Sequence, residues 1–206
     1  MNVQGKFISL EGIDGCGKSS LLEKLRAYLG KYEVISIREP GGTSISEKIR
    51  AMLLDITNEK ILPRTEAMLY ASARCQLVDE IIRPALAEGR IVLADRYMDS
   101  TVAYQGYGRG LDLGFLQELN HLCTGGVKPD LTLLLDISPE EGLQRRSKDI
   151  PDRLEKEGIA FQQKVREGYL NMAREEPQRI KVLNAGQDFD RVLAAAIKYI
   201  DQLLIS

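Results

Sequence analysis

Short apolar runs alternate along the chain with longer stretches of helical periodicity. Five runs read as strands: Phe7 to Leu10, Val34 to Ile37, Ile91 to Ala94, Leu131 to Leu135 and Ile180 to Leu183. Several are apolar throughout, as strands covered on both faces require. Leu21, Leu25, Tyr28 and Leu29 space out a helix after the first run. Ser44-Ile45-Ser46-Glu47 has capping-box spacing and predicts a helix through Leu54. Thr65 to Ile82 predicts a longer helix that Pro84 ends or kinks. A short helix ending at Gly106, a helix from Leu113 to Cys123, and one from Pro139 to about Ser147 follow. Phe161, Val165 and Tyr169 mark one face of another helix. Phe189, Val192, Leu193, Ala196, Ile197, Ile200, Leu203 and Leu204 trace the stripe of a closing one. Strands separated by helices predict an α/β fold: a five-stranded parallel sheet with helices on both faces. Ligands bind such folds beyond the carboxyl ends of the strands. Gly12, Arg38 and Asp95 all lie just past predicted strand ends, so those loops should meet.

Composition narrows the picture. With 206 residues, 44% hydrophobic and 28% charged, a single domain over residues 1–206 is expected. A net charge of −2 without basic blocks argues against a broad nucleic-acid surface, leaving room for a local anion site. Cys16, Cys75 and Cys123 lack metal-ligand spacing and an even count, and His121 is the only histidine. Zinc sites, a disulfide framework and a Ser-His-Asp triad are poorly supported. The first ten residues lack a signal-peptide core, and no apolar run approaches membrane-spanning length, so no membrane partner and a reducing cytoplasm are expected.

The chemistry starts at FISLEGIDGCGKSS, residues 7–20. It holds G-x-x-x-x-G-K-S between a strand and a helix, the context that makes this spacing a phosphate loop. Gly12, Gly15 and Gly17 let the backbone curl with its N–H groups inward, and the new helix adds its positive end. Lys18 would reach the β- and γ-phosphates, and the Ser19 hydroxyl would hold Mg²⁺. Asp95 stands where such enzymes put the carboxylate that holds the same ion; the alternative is a helix-capping aspartate. Arg96 beside it, and Arg38 beyond a neighbouring strand, could clamp a monophosphate or simply form surface ion pairs. Tyr70 and Arg74 are one helical turn apart and could stack on and hydrogen-bond a nucleobase, or be half core and half solvated helix. Lys148 to Glu157 is strongly charged, holds Pro151, and suits a mobile surface segment. Gln144 to Arg153 carries Arg145, Arg146, Lys148 and Arg153, which could be a solvated face or serve a closing lid over about residues 145–157.

FISLEGIDGCGKSS, REPGGT, LYASARCQ, ADRYMDSTVAYQG, KPDLTLLLDISPEEGLQRR and DRLE, in this order, resemble thymidylate kinases. The resemblance implies the phosphate-loop nucleoside monophosphate kinase fold with a short lid. It implies Mg²⁺-dependent transfer of the γ-phosphoryl of ATP to dTMP, a step in dTTP synthesis, by a homodimer. Residues Gly12, Ile13, Asp14, Gly15, Cys16, Gly17, Lys18, Ser19 and Ser20, with Arg145, would hold ATP. Tyr70 would stack on thymine, and Arg74 would hydrogen-bond it with Thr101 and Gln105 nearby. Arg38 and Arg96 would grip the dTMP phosphate, Tyr104 would crowd the sugar 2′ position, and Asp14 would meet the 3′-hydroxyl or the metal shell. Glu11 would support the loop. The loop carries no basic residue between Gly12 and Gly17, so the chain resembles the version whose catalytic arginine comes from the lid. Arg153 is the first choice for it, then Arg145 and Arg146. Lys18, Arg96 and Arg153 make up the expected catalytic set. Another nucleoside monophosphate kinase and a nucleotide switch are the competing readings; the switch predicts an N-K-x-D sequence, which is absent.

Overall fold

The computed structural model describes residues 5–58, 60–146 and 153–205, and the five apolar runs are its strands. β1 (Lys6–Glu11), β2 (Val34–Arg38), β3 (Ile91–Asp95), β4 (Leu131–Asp136) and β5 (Ile180–Asn184) form one sheet in the order β2-β3-β1-β4-β5, with every neighbouring pair parallel. The three central strands are almost wholly buried, which explains their unbroken hydrophobicity. Leu10 and Arg38 both pair with Asp95, so three strands finish at one edge.

The helices are α1 (Lys18–Tyr28), α2 (Ser44–Leu54), α3 (Pro63–Leu77), α4 (Arg83–Ala87), α5 (Met98–Thr101), α6 (Leu113–Thr124), α7 (Pro139–Arg145), α8 (Ile159–Glu175) and α9 (Phe189–Ile205). Alternate β1 residues feed two cores. Ile8 and Leu10 pack with Leu21, Leu25, Val165, Ala196 and Ile200, while Phe7 packs with Val92, Ala94, Leu77 and Ile82. No helix among the described residues is long and apolar enough to cross a membrane.

Three local expectations shift. The predicted helix over 65–82 does not stop near Pro84; Val78–Ile82 widens into a π turn and α4 carries the chain on to Ala87. A wider turn relieves the clash between the proline ring and the carbonyl four residues back. Likewise the helix predicted to end at Gly106 continues from α5 as a π segment, Val102–Gly108. A Cβ on Gly108, its last residue, would lie 2.6 Å from the Phe161 ring, so the glycine there admits α8. The cap of α2 moves back one residue: Thr43 accepts from Ser46 N, and Glu47 accepts from Gly42 N at 2.8 Å.

The charged stretch read as a surface segment also differs. Residues 147–152 lie outside the described residues, but Arg153 and Leu154 are buried. Leu154 joins the larger apolar cluster, and Arg153 finds a buried carboxylate, so both side chains have an interior partner.

A polar string crosses the interior. Ser9 Oγ and Thr132 Oγ1 lie 2.9 Å apart, Thr132 donates to Asp99, and Arg179 grips both Asp99 oxygens at 2.7 and 2.8 Å. Asp99 is only 2% exposed. Arg179→Ala leaves that carboxylate buried without its cation and is expected to cost about 3 kcal/mol of unfolding free energy. Urea denaturation of the two proteins measures it.

Candidate active site

Past the strand ends lies a cavity of about 790 Å³ whose floor is the phosphate loop. Gly17, at φ 94°, stands at the N-cap of α1 with no side-chain cap, so the helix meets the cavity with its backbone N–H groups. Gly15 is needed for a different reason: a Cβ there would fall 2.1 Å from the Gly142 carbonyl oxygen of α7. Lys18 folds back over the loop and donates to the Gly12 and Ile13 carbonyls, both at 3.1 Å. Ser19 Oγ donates to Asp95 Oδ2 at 3.3 Å, which puts the two oxygens expected to hold a cation side by side. No group of three or more His, Cys, Asp or Glu among the described residues could cage a metal. The Ser19–Asp95 pair fits a hard cation that takes its other ligands from phosphate and water, as Mg²⁺ does.

Arg96 is the most constrained residue of the site. Its φ of 71° is left-handed, a conformation that costs energy without glycine. Two bonds hold the turn: Arg96 N donates to Leu10 O at 2.9 Å, and Tyr97 N to Glu11 Oε1 at 2.7 Å. The guanidinium is then aimed by Gly12 O, Ser100, Tyr169, Tyr104 and Asp14. Glu11 Oε2 accepts from Ser100 Oγ at 2.6 Å and Tyr169 Oη at 2.8 Å. Burial, and after it the Asp99 charge, push the Glu11 carboxyl up to about 7 despite Ser100, Arg96 and Tyr169 pulling the other way. Burial would also raise Asp14, but Arg96, Lys18 and Arg146 outweigh it and hold that carboxyl below its ordinary value.

On the α3 side, Arg38 pairs with Glu47 at 3.2 Å and remains half exposed at the cavity mouth. Arg74 is buried and engages Glu39, Thr101, Asn120 and the Tyr97 carbonyl. Burial opposes its charge, yet the Glu39 carboxylate raises its pKa overall. Tyr70, Thr101, Tyr104 and Gln105 line the same wall. On the opposite side, Arg145 donates to Ala185 O at 3.0 Å, and Ala185, Gln187, Phe189 and Val192 line the wall beyond β5.

Set beside known proteins, the chain matches the family model described as thymidylate kinase over residues 10–196. The chain belongs to the thymidylate kinase family. A thymidylate kinase of Thermoanaerobacter sp. (strain X514) is 49% identical over 192 residues, covering 92% of this chain and 94% of the relative. That of Lactobacillus acidophilus is 47% identical over 98% of this chain and 96% of its own. The crystal structure of thymidylate kinase from Ehrlichia chaffeensis superposes with a TM-score of 0.77 at 32% identity, covering 96% of this chain and 98% of that one.

For a thymidylate kinase the placement of the expected residues is uneven. The cavity wall includes Asp14, Gly15, Cys16, Gly17, Lys18, Ser19, Ser20, Arg38, Tyr70, Arg74, Asp95, Arg96, Thr101, Tyr104, Gln105 and Arg145. Gly12 and Ile13 stand behind it, serving through their carbonyls, with the Ile13 side chain in the core. Arg153 is not on the wall: its Nη1 pairs with Glu66 Oε2 at 2.6 Å and its Nε donates to Leu53 O at 2.8 Å. Arg146 does reach the wall, close enough for its charge to act on Asp14. Sequence reasoning missed Glu39, Arg50 and Ser100, the supporting Tyr169, and the wall beyond β5. The last had a signal, because the strand-end rule that singled out Gly12, Arg38 and Asp95 applies equally to residues 185–189.

Glu11 holds its proton more tightly in the folded chain than at its ordinary 4.5, so the stability it contributes is complete below that pH and lost as pH rises through about 7. Glu11→Gln cannot titrate. Urea unfolding at about pH 5 and about pH 8 should therefore show the variant gaining on the wild type at the higher pH.

Proposed function

We propose that this chain moves the γ-phosphoryl group of ATP onto dTMP, giving dTDP and ADP. The observation that carries the reading is a single cavity of about 790 Å³ lined by the phosphate loop, by Tyr70, Arg74 and Gln105, and by Ala185, Gln187, Phe189 and Val192 beyond β5. As a member of the thymidylate kinase family, the chain phosphorylates thymidylate. Loop residues 12–20 would hold the ATP phosphates, with the wall beyond β5 and Arg145 against the adenosine. At the other end Tyr70 would stack on thymine while Arg74, Thr101 and Gln105 face its polar edge. Arg38 and Arg96 would hold the acceptor phosphate, Tyr104 the sugar 2′ side, and Asp14 the 3′ side. Mg²⁺ held at Ser19 and Asp95 would neutralise charge on the phosphates.

The acceptor phosphate has a second pKa near about 6, so it is largely ionised at neutral pH and needs no general base. Alignment and cations do the rest. Lys18 and Arg96 flank the line of transfer. Among the arginines of the lid region, Arg146 is assigned to the transferring group because its charge reaches the phosphate loop. Arg153 would join it only by leaving Glu66.

We also propose that the chain works as a homodimer in a reducing cytoplasm. Ile45 and Met52 of α2, Met68 of α3 and Leu122 of α6 are exposed on helices that pack together, an apolar surface suited to a second copy. Cys16, Cys75 and Cys123 are all free thiols.

Lys18→Ala and Arg146→Ala should each lower kcat by at least ~10² while circular dichroism stays unchanged. ADP release coupled to NADH oxidation reads this. ATP turnover should require added dTMP, stop on chelation with EDTA and fall when dTMP is replaced by CMP or AMP; turnover without any acceptor would overturn the reading. Sedimentation of Met68→Asp should show monomer where the wild type sediments as a dimer.

A further inference from the structure

Glu66 lies on α3, fully buried at 0% exposure, and belongs to no part of the phosphoryl-transfer machinery described above. Its carboxylate accepts four hydrogen bonds. Oε1 takes Gln105 Nε2 at 2.9 Å and Arg109 Nε at 3.3 Å; Oε2 takes Arg109 Nη2 at 3.3 Å and Arg153 Nη1 at 2.6 Å. Four is about the capacity of a carboxylate, and two guanidinium groups balance its charge. The arrangement has a directional consequence. A carboxylate between two arginines only accepts, so the Gln105 amide must turn its NH2 toward Glu66 and its carbonyl away. Gln105 is 2% exposed and lines the cavity, and Nε2 is the amide atom that Glu66 holds. Arg74 beside it is held by Glu39, Thr101, Asn120 and the Tyr97 carbonyl and also hydrogen-bonds the Cys123 thiol, which fixes its cation at the cavity wall. The base end therefore sets the Gln105 carbonyl beside the Arg74 cation.

We propose that Glu66 is a specificity-positioning residue, whose carboxylate locks the Gln105 amide so that the base end accepts a pyrimidine with an N3–H and refuses one with an N3 lone pair. This rests on the reading of that end as the thymidylate site. Thymine presents the electron-rich O4, which suits the Arg74 cation, and N3–H as donor, which suits Gln105 Oε1. Cytosine presents the reverse at both positions and would set two lone pairs against each other. The lid region takes part through Arg153, which shares the Glu66 carboxylate with Arg109.

Glu66→Gln tests this, since a neutral amide at position 66 can donate as well as accept and frees Gln105 to flip. Steady-state kcat and KM are measured for dTMP and dCMP at saturating ATP, with thermal melting alongside. The expected result is a fall of at least about ten-fold in the dTMP-to-dCMP ratio of kcat/KM, carried by KM, with kcat/KM for dCMP rising in absolute terms. If Glu66→Gln does not fold, the charge-balanced pair Glu66→Gln/Arg153→Gln is measured against Arg153→Gln. Loss of both activities in equal proportion, or any smaller change in the ratio, would overturn the proposal and make Glu66 a packing residue. A wild type that fails to prefer dTMP over dCMP would instead overturn the thymidylate reading itself.

Discussion

The site hangs on the left-handed turn at Arg96. A parallel sheet delivers β1 and β3 to the same edge, but a strand running straight on from Asp95 would carry the arginine past the cavity. The turn brings it back, and it persists because β1 holds it from both sides, through the Leu10 carbonyl and the Glu11 carboxylate. Glu11 then extends that hold through Ser100 to Tyr169 of α8, so a buried acid, two hydroxyls and one guanidinium form a single unit. Burying such a network is costly unless every member is satisfied. Here the Glu11 oxygens both have donors, and the guanidinium has acceptors on the phosphate loop, α5, the π segment and α8.

Among the described residues, other buried arginines are likewise paired with a carboxylate, although Glu39 Oε1 and Arg153 Nη2 have no hydrogen-bond partner. Arg74 meets Glu39, Arg179 meets Asp99, and Arg109 and Arg153 share Glu66. Each pair ties different elements together: β2's end to α3, α5 to the start of β5, the lid root to α3. The carboxylates thereby fix these guanidinium groups, and the elements that carry them, before any ligand arrives. The contrast is at Arg38, half exposed and paired only with Glu47, where a surface ion pair contributes little and yields easily to a phosphate.

Close backbone approach supplies the rest of the geometry. Gly15 and Gly142 let the phosphate loop and α7 touch without side chains, which sets how near Arg145 and Arg146 come to the loop. Gly108 does the same for α8 against the π segment that carries Tyr104 and Gln105. The π turns on either side of β3 are costly departures from regular helix, and the second of them carries Tyr104 and Gln105 of the cavity wall, consistent with the tendency of such turns to sit at functional sites.

The sequence alone determined the strands, their parallel arrangement and the phosphate loop, because burial on both faces and a nucleotide-binding turn impose patterns on consecutive residues. It also marked Arg38, Arg74, Arg96 and Gln105 through motifs whose spacing survives in the linear text. The fate of a charged side chain is another matter, since it depends on which opposite charge the fold brings beside it. Arg153 looked like a free lid cation; it is buried against Glu66, a residue 87 positions away that reads as one more acidic residue in a helix. Tyr169 likewise reads as a core position of α8, and only packing brings its hydroxyl to Glu11 at 2.8 Å. Local patterns encode local geometry, and the pairing of distant charges is decided when the layers close.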